Sequence, residues 1–203
     1  MDEILLFDMF GVIAHHQSPA GKEHLVETAG VPEEAFWEAY WALRPPYDAG
    51  MSGAQYWRLV AEALGTRFGP EQIAALVEAD IASWSAVDAE MVDLIGELAA
   101  AGRRIALLSN IPEELAVHYE RHHPWLAHFE VRSLSCRIGH AKPAAGAYEW
   151  CLRALDAAPG RVLFVDDREE NVDAALALGI RGHRFTSAAA LRRALAPSGD
   201  APS

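Results

Sequence analysis

The chain has 203 residues, with 29 acidic against 17 basic side chains and a formal charge of −12. A chain this acidic lacks the positive field that draws in a phosphate backbone, which argues against nucleic acid as a partner. It leaves room for small anions, because a few local cations or a metal can override the global charge. About half the residues are apolar, with six Trp and seven Phe, so one domain with a sizeable core and an insert is expected.

The start, Met1-Asp2-Glu3-Ile4, has no basic region and does not read as a secretory signal. No apolar run approaches the ~18–20 residues of a membrane span. Cys136 and Cys151 form neither a C-x-x-C pair nor a disulfide framework, so both read as small core residues of a reduced, cytoplasmic protein. Ile4-Leu5-Leu6-Phe7 is a short apolar run suited to a buried parallel strand, ending at Asp8. Gly11 follows where a tight turn would need it.

Residues from about 15 to 87 then read as helices only, for example Glu33 to Leu43, Gly53 to Leu64 and Pro70 to Ile81. The breaks between them are Pro45-Pro46, Gly65 and Gly69. After Val87 strands and helices alternate. A helix from Asp88 to Ala101 precedes a strand at Arg104 to Leu108, which ends at Ser109-Asn110. Pro112 opens a helix at its first turn. Residues 129–135 form a short strand, and Lys142-Pro143 starts a helix running to about Leu155. Val162 to Val165 is a third apolar strand, ending at Asp166-Asp167. A helix from Glu169 to Leu178, a strand near 180–185 and a helix from Ala188 to Leu195 complete the chain, with a flexible tail at 197–203. Such alternation implies a parallel sheet covered on both faces, and the helical stretch reads as an insert. The division is thus a core of 1–14 and 88–196 and an all-helical cap of 15–87.

Three strands end in polar groups: Asp8, Ser109-Asn110 and Asp166-Asp167. Open α/β sheets bind ligands beyond the carboxyl ends of their strands, where strand order reverses. Neighbouring strands would bring these ends together, and three close carboxylates need a cation. A hard divalent ion such as Mg2+, with oxygen ligands, meets that need, and Lys142 adds a second positive charge. An aspartate, a metal, a hydroxyl and a lysine at one point suit phosphoryl transfer.

In order and spacing, the segments LLFDMFGVI, IALLSN, GHAKPAAGAYEW and VLFVDDREENVDAALALGI resemble the four motifs of the haloacid dehalogenase-like hydrolases. The resemblance implies a Rossmann-like α/β core with a helical cap after the first motif. It implies that Asp8 is the nucleophile and forms an aspartyl intermediate. Asp8, the backbone carbonyl of Phe10 and Asp167 would ligate Mg2+, with Asp166 orienting metal-bound water. Ser109 and Lys142 would hold the phosphoryl group, helped by backbone N–H groups of Met9, Phe10 and Asn110. Asn171, four residues after Asp167, would face the same way on a helix.

One position departs from the family's phosphatases, which carry a second aspartate two residues after the nucleophile. Phe10 stands there and transfers no proton. Three readings follow. One is a phosphatase of a small ester, sugar phosphates included, with His15 or His16 at the core–cap junction as proton donor. Another is metal-free 2-haloacid dehalogenation, whose enzymes resemble this first motif but lack the paired late aspartates. The third is a binding protein on the same fold.

Other residues carry ordinary explanations beside functional ones. Ser109-Asn110 could cap the helix that Pro112 begins. Asp166-Asp167 could be acids favoured at a helix N-terminus. His118, His122, His123 and His128 invite a zinc reading, but no carboxylate or cysteine pattern completes a known spacing, so a solvated helix is expected. His140 is given no role. Trp37, Tyr40, Trp41 and Trp57 read mostly as a cap core at helical spacing, with room for some of them to face the active site, since pockets are commonly lined by aromatics. Arg44 and Tyr47, beside the Pro45-Pro46 break, are the picks for contact with substrate.

Overall fold

In the computed structural model, which describes residues 3–196, strand β1 (Ile4–Phe7) is buried along its whole length, as its unbroken apolar run requires. It lies at the centre of a five-stranded parallel sheet with β2 (Ile105–Ser109), β3 (Val131–Leu134), β4 (Val162–Asp166) and β5 (Arg181–Arg184) in the order β3-β2-β1-β4-β5. The chain first winds outward through β2 and β3, then returns to build β4 and β5 on the other side of β1. Strand order therefore reverses at β1 and β4, and Phe7 pairs with Val165 across that point. This is the crevice where open sheets of this kind take ligands.

Helices α1 (Pro19–Ala29), α2 (Glu33–Asp48), α3 (Gly53–Ala63) and α4 (Pro70–Ser83) lie between β1 and α5 (Ala89–Ala100). They pack on their own cluster, with Leu25, Phe36, Tyr40, Trp57, Val60 and Leu76 at its centre. The sheet has one cluster on each face. One joins Leu5, Phe7, Leu107 and Val165 to α5, to α6 (Glu113–His122) and to α10 (Ala188–Leu195). The other joins Leu6, Leu108 and Phe164 to α8 (Ala145–Leu155) and α9 (Glu169–Ala177). Each such side chain, fully buried, contributes about 1.5–3 kcal/mol. Between β3 and α8 lies the short α7 (Ser135–Ile138).

The insert leaves and returns through two segments that hydrogen-bond to each other. His15 N–H donates to Ala86 C=O at 2.9 Å and Asp88 N–H to Ile13 C=O at 2.9 Å, with Ala14 bridging Val87 antiparallel. A further tie comes from α6 and α7. Glu114 accepts the Gly53 N–H at the start of α3 at 2.6 Å. Ser135 Oγ donates to the Asp48 carbonyl at 2.5 Å and accepts from Ile111 N–H at 2.8 Å.

Helix α2 runs through Pro45 and Pro46 to Asp48 rather than breaking there. Both prolines fall in its last turn, so the two N–H groups they lack are few, and Arg44 ties to Asp48 one turn on at 2.9 Å. Asp88 is the N-cap of α5, accepting from Glu90 and Met91 N–H. Pro112 is the N-cap of α6 rather than its first residue. Lys142 and Pro143 sit in the loop before α8, which begins at Ala145. The expected flexible tail at 197–203 lies outside the described residues.

Candidate active site

The turn after β1 folds tightly beneath Asp8. Met9 C=O accepts N–H groups of Ile13 and Ala14, both at 2.8 Å. Gly11 makes the turn with φ +86°, and a Cβ there would lie 2.4 Å from Asp167 Oδ2. Only glycine meets both demands, a left-handed backbone and an approaching carboxylate. Asp8 N–H is held by Val165 C=O at 2.8 Å, which fixes the two strand ends side by side.

Asp8, Asp166 and Asp167 each offer an oxygen within 4.8 Å of the others, and among the described residues they form the one cluster of metal-ligating side chains. Lys142 Nζ lies 2.6 Å from Asp8 Oδ1 and 2.7 Å from Asp166 Oδ2. Burial pushes the Asp8 carboxyl up to about 7, against the pull of Lys142. Burial also acts against the Lys142 ammonium, but Asp8 and Asp166 outweigh it and hold the lysine above its ordinary value. Asp166 is buried too, yet Lys142, the Arg168 N–H and Asn171 together keep it below the usual carboxylate range. Asn171 Nδ2 reaches both Asp166 oxygens, at 3.1 and 3.0 Å.

Lys142 is placed by Asn110 across 32 residues of sequence. The Asn110 amide donates to Lys142 C=O and accepts from Lys142 N–H, both at 2.8 Å. The sequence offers no spacing that announces this clamp. Ser109 Oγ is buried at the end of β2 without a partner, and α6 has no side-chain cap, so the hydroxyl does not serve as one. Asp167 Oδ1 is likewise buried without a partner. An orphaned carboxylate oxygen beside two more aspartates suits a hard cation, and Asp8 and Asp167 could hold one with the nearby Phe10 carbonyl.

Above Asp8 opens a cavity of about 340 Å³. Phe10 lines it, its ring edge-on to Trp84 at 5.1 Å and to Tyr119 at 5.8 Å. His16 also lines it, its Nε2 lying 3.0 Å from Asp167 Oδ2; both His15 and His16 are exposed, but His15 is not among the lining residues. Arg44 borders the cavity but is buried and bound to Asp48 and, at 3.1 Å, to Asp80. Tyr47 is not among the lining residues. Its ring stacks on Tyr56 at 4.3 Å inside the insert, because the helix does not break at the prolines and so turns this face inward. Trp41, read from spacing as a core residue, is 48% exposed and lines the cavity. Trp84, Asp48 and Arg168 line it as well and carried no signal in the sequence.

The histidines of α6 form no metal group among the described residues. His118 stacks near His122 at 4.4 Å, and His118 Nε2 meets Ser85 Oγ at 3.2 Å. His140 lies against Gly146, close to α8. Among the described residues no helix is long and apolar enough to cross a membrane.

Comparison with known proteins places this geometry. A sesquiterpene phosphatase, astK of Aspergillus oryzae, is 35% identical over 104 residues, and the matched stretch is 51% of this chain and 53% of that protein. The chain thus spans about half the length of that curated relative. A HAD family enzyme from Bacteroides thetaiotaomicron, solved with magnesium and inorganic phosphate, superposes with a TM-score of 0.77 at 20% identity, covering 92% of this chain and 95% of its own. The L-2-haloacid dehalogenase of Xanthobacter autotrophicus superposes with a TM-score of 0.68 at 19% identity, covering 100% of this chain and 85% of its own. At these identities the two structures share the fold. The model of the haloacid dehalogenase-like hydrolases matches residues 3–179, and the chain belongs to that family.

Proposed function

We propose that the chain is a Mg2+-dependent phosphatase that cleaves a small phosphate ester through an aspartyl-phosphate on Asp8. The observation that carries this reading is the cluster of Asp8, Asp166 and Asp167, with Asp167 Oδ1 buried and unpartnered within it, and Ser109 Oγ, also buried and unpartnered, at the end of the strand next to β1. A fold gains nothing from leaving such atoms without partners, whereas a cation and a phosphoryl oxygen would satisfy both. The phosphatase name of the Aspergillus oryzae relative points the same way.

In this reading an Asp8 oxygen attacks phosphorus, the bond to the ester oxygen breaks, and water later cleaves the acyl phosphate. Lys142 and Ser109 hold the phosphoryl oxygens, and Asn110 keeps Lys142 on station. Asp8, Asp167 and the Phe10 carbonyl would hold Mg2+, with Asp166 positioned by Asn171. The ion, when bound, offsets the negative charge gathered at the transferring group. The four helices of the insert act as a cap that shields the acyl phosphate from stray water. His16 is the proton donor best placed to stand in for the residue missing at Phe10, since it borders the cavity.

Phe10 favours a second reading, release of halide, which needs no proton. That chemistry proceeds without metal and leaves the paired aspartates without purpose. The test is phosphate release from a panel of phosphoesters and halide release from 2-haloacids, each with Mg2+ and with chelator. Chelator-sensitive phosphate release that Asp8→Asn abolishes supports the phosphatase, and chelator-resistant halide release overturns it.

A further inference from the structure

The cavity above Asp8 has two unlike sides. Asp8, Asp167, Lys142 and Asn171 make its floor, where the phosphoryl group would sit. Trp41 and Trp84 from the insert, met by Phe10, make an aromatic corner beside it. Trp84 stands 5.1 Å from Phe10 and 6.3 Å from Trp41, with ring planes at 66° and 90°.

The corner has little polar capacity to spare. Trp84 Nε1–H donates inward to Tyr40 OH at 3.1 Å, so its carbon face is what meets the cavity. Phe10 has no polar side-chain atom. Trp41 holds 48% of its surface open to solvent, a large ring exposed at the mouth of a cavity. Rings so disposed are typical of small-molecule sites. A polyhydroxyl body would bring more donors and acceptors than these rings can match, and polar groups buried against them without partners are costly.

Charge points the same way. Arg44 is the cation that the insert presents to the cavity, and it faces two carboxylates, Asp48 at 2.9 Å and Asp80 at 3.1 Å. A second anionic group on the substrate would have to take Arg44 from one of them, leaving a buried carboxylate unpaired, or draw Arg168, the other arginine at the cavity, away from Glu170. At about 340 Å³ the cavity is also at the small end of the ~300–1,000 Å³ usual for such sites.

We propose that the substrate is the monophosphate of a compact, uncharged alcohol whose flat or cyclic apolar body packs into the Phe10–Trp41–Trp84 corner. This rests on the phosphatase reading above and selects against sugar phosphates, bisphosphates and haloacids.

The test compares phosphate release, with Mg2+, from benzyl phosphate, cyclohexylmethyl phosphate, glycerol phosphate and glucose phosphorylated at its primary hydroxyl. All four leaving groups are primary alcohols, so differences report recognition of the body. The two apolar esters are expected to exceed the polar ones in kcat/KM by about tenfold or more. Trp41→Ala, at a position half open to solvent, is expected to erase most of that ratio. Equal or better use of the polar esters, or a ratio that Trp41→Ala leaves unmoved, overturns the proposal. A second arm measures binding of benzylphosphonate against methylphosphonate by calorimetry, with no turnover involved. An advantage of about tenfold for the benzyl compound that Trp41→Ala removes supports the aromatic corner. Equal affinities overturn it. If no ester releases phosphate while that advantage persists, the phosphatase reading falls and the apolar recognition stands.

Discussion

Two residues beyond Asp8, Phe10 presents a ring that carries no proton, and in the phosphatase reading proposed above leaving-group departure falls to His16. The His16 ring reaches Asp167 at 3.0 Å from the linker into the insert. His16→Ala is expected to slow alkyl esters by about 10²-fold, in line with the usual worth of a positioned proton donor, and aryl esters far less. His15→Ala leaves both rates near wild type, and a His16→Ala effect equal for alkyl and aryl esters would remove the residue from that role. Lys142 answers to a different measurement. Its ammonium lies between Asp8 and Asp166, and Lys142→Met leaves two buried carboxylates facing each other. Removing one partner of a buried ionic cluster costs about 3–5 kcal/mol, which urea unfolding of the metal-free protein would read directly.

At the scale of elements, the ties between α6, α7 and the insert set how firmly the helical insert rests on the sheet. Glu114 holds the Gly53 N–H, and Glu114→Gln, which keeps the shape and drops the charge, is expected to cost about 1 kcal/mol in urea unfolding. Helix α6 carries His118, and His123 follows its last residue. Burial, with the neighbouring imidazoles, holds both below their ordinary value. The unfolded chain then binds more protons than the folded one as pH falls through about 6.5. Stability is therefore flat above that value and declines below it, and replacing both with Gln is expected to remove part of the decline.

These elements also show what the sequence could and could not carry. Strands that end at Asp8, Ser109 and Asp166 were legible because a fully buried parallel strand must be apolar throughout, and its first polar residue marks its end. Helix α10 was legible to the residue, since Ser187 caps it and Leu191 and Leu195 repeat at helical spacing. The course of α2 was not, because a proline pair near a helix end reads the same as one that ends it. Nor were Trp41 and Trp84, since an aromatic residue at helical spacing looks alike whether it faces a core or a cavity. The Asn110 clamp on Lys142 joins residues that only the fold brings together.

Taken whole, the described residues carry three hydrophobic clusters, two on the sheet and one within the insert, and one acidic cluster. A bound cation that the unfolded chain lacks raises stability by mass action. Millimolar Mg2+ is expected to raise the melting temperature and chelator to lower it, while Asp167→Asn, which removes an expected ligand, shrinks the difference. An identical shift in that variant would place the ion elsewhere. The paired linkers have a last consequence. Because Ala14 bridges Val87, the two ends of the insert lie side by side, at the ~4.5–5.5 Å of an antiparallel pair. The insert is in effect a cassette with adjoining cut ends. A chain shortened by joining Ala14 to Val87 through an Asn-Gly turn is expected to keep the five-stranded sheet and its aspartates. It would offer them to solvent with no roof, an open-faced catalyst stripped of its power to choose.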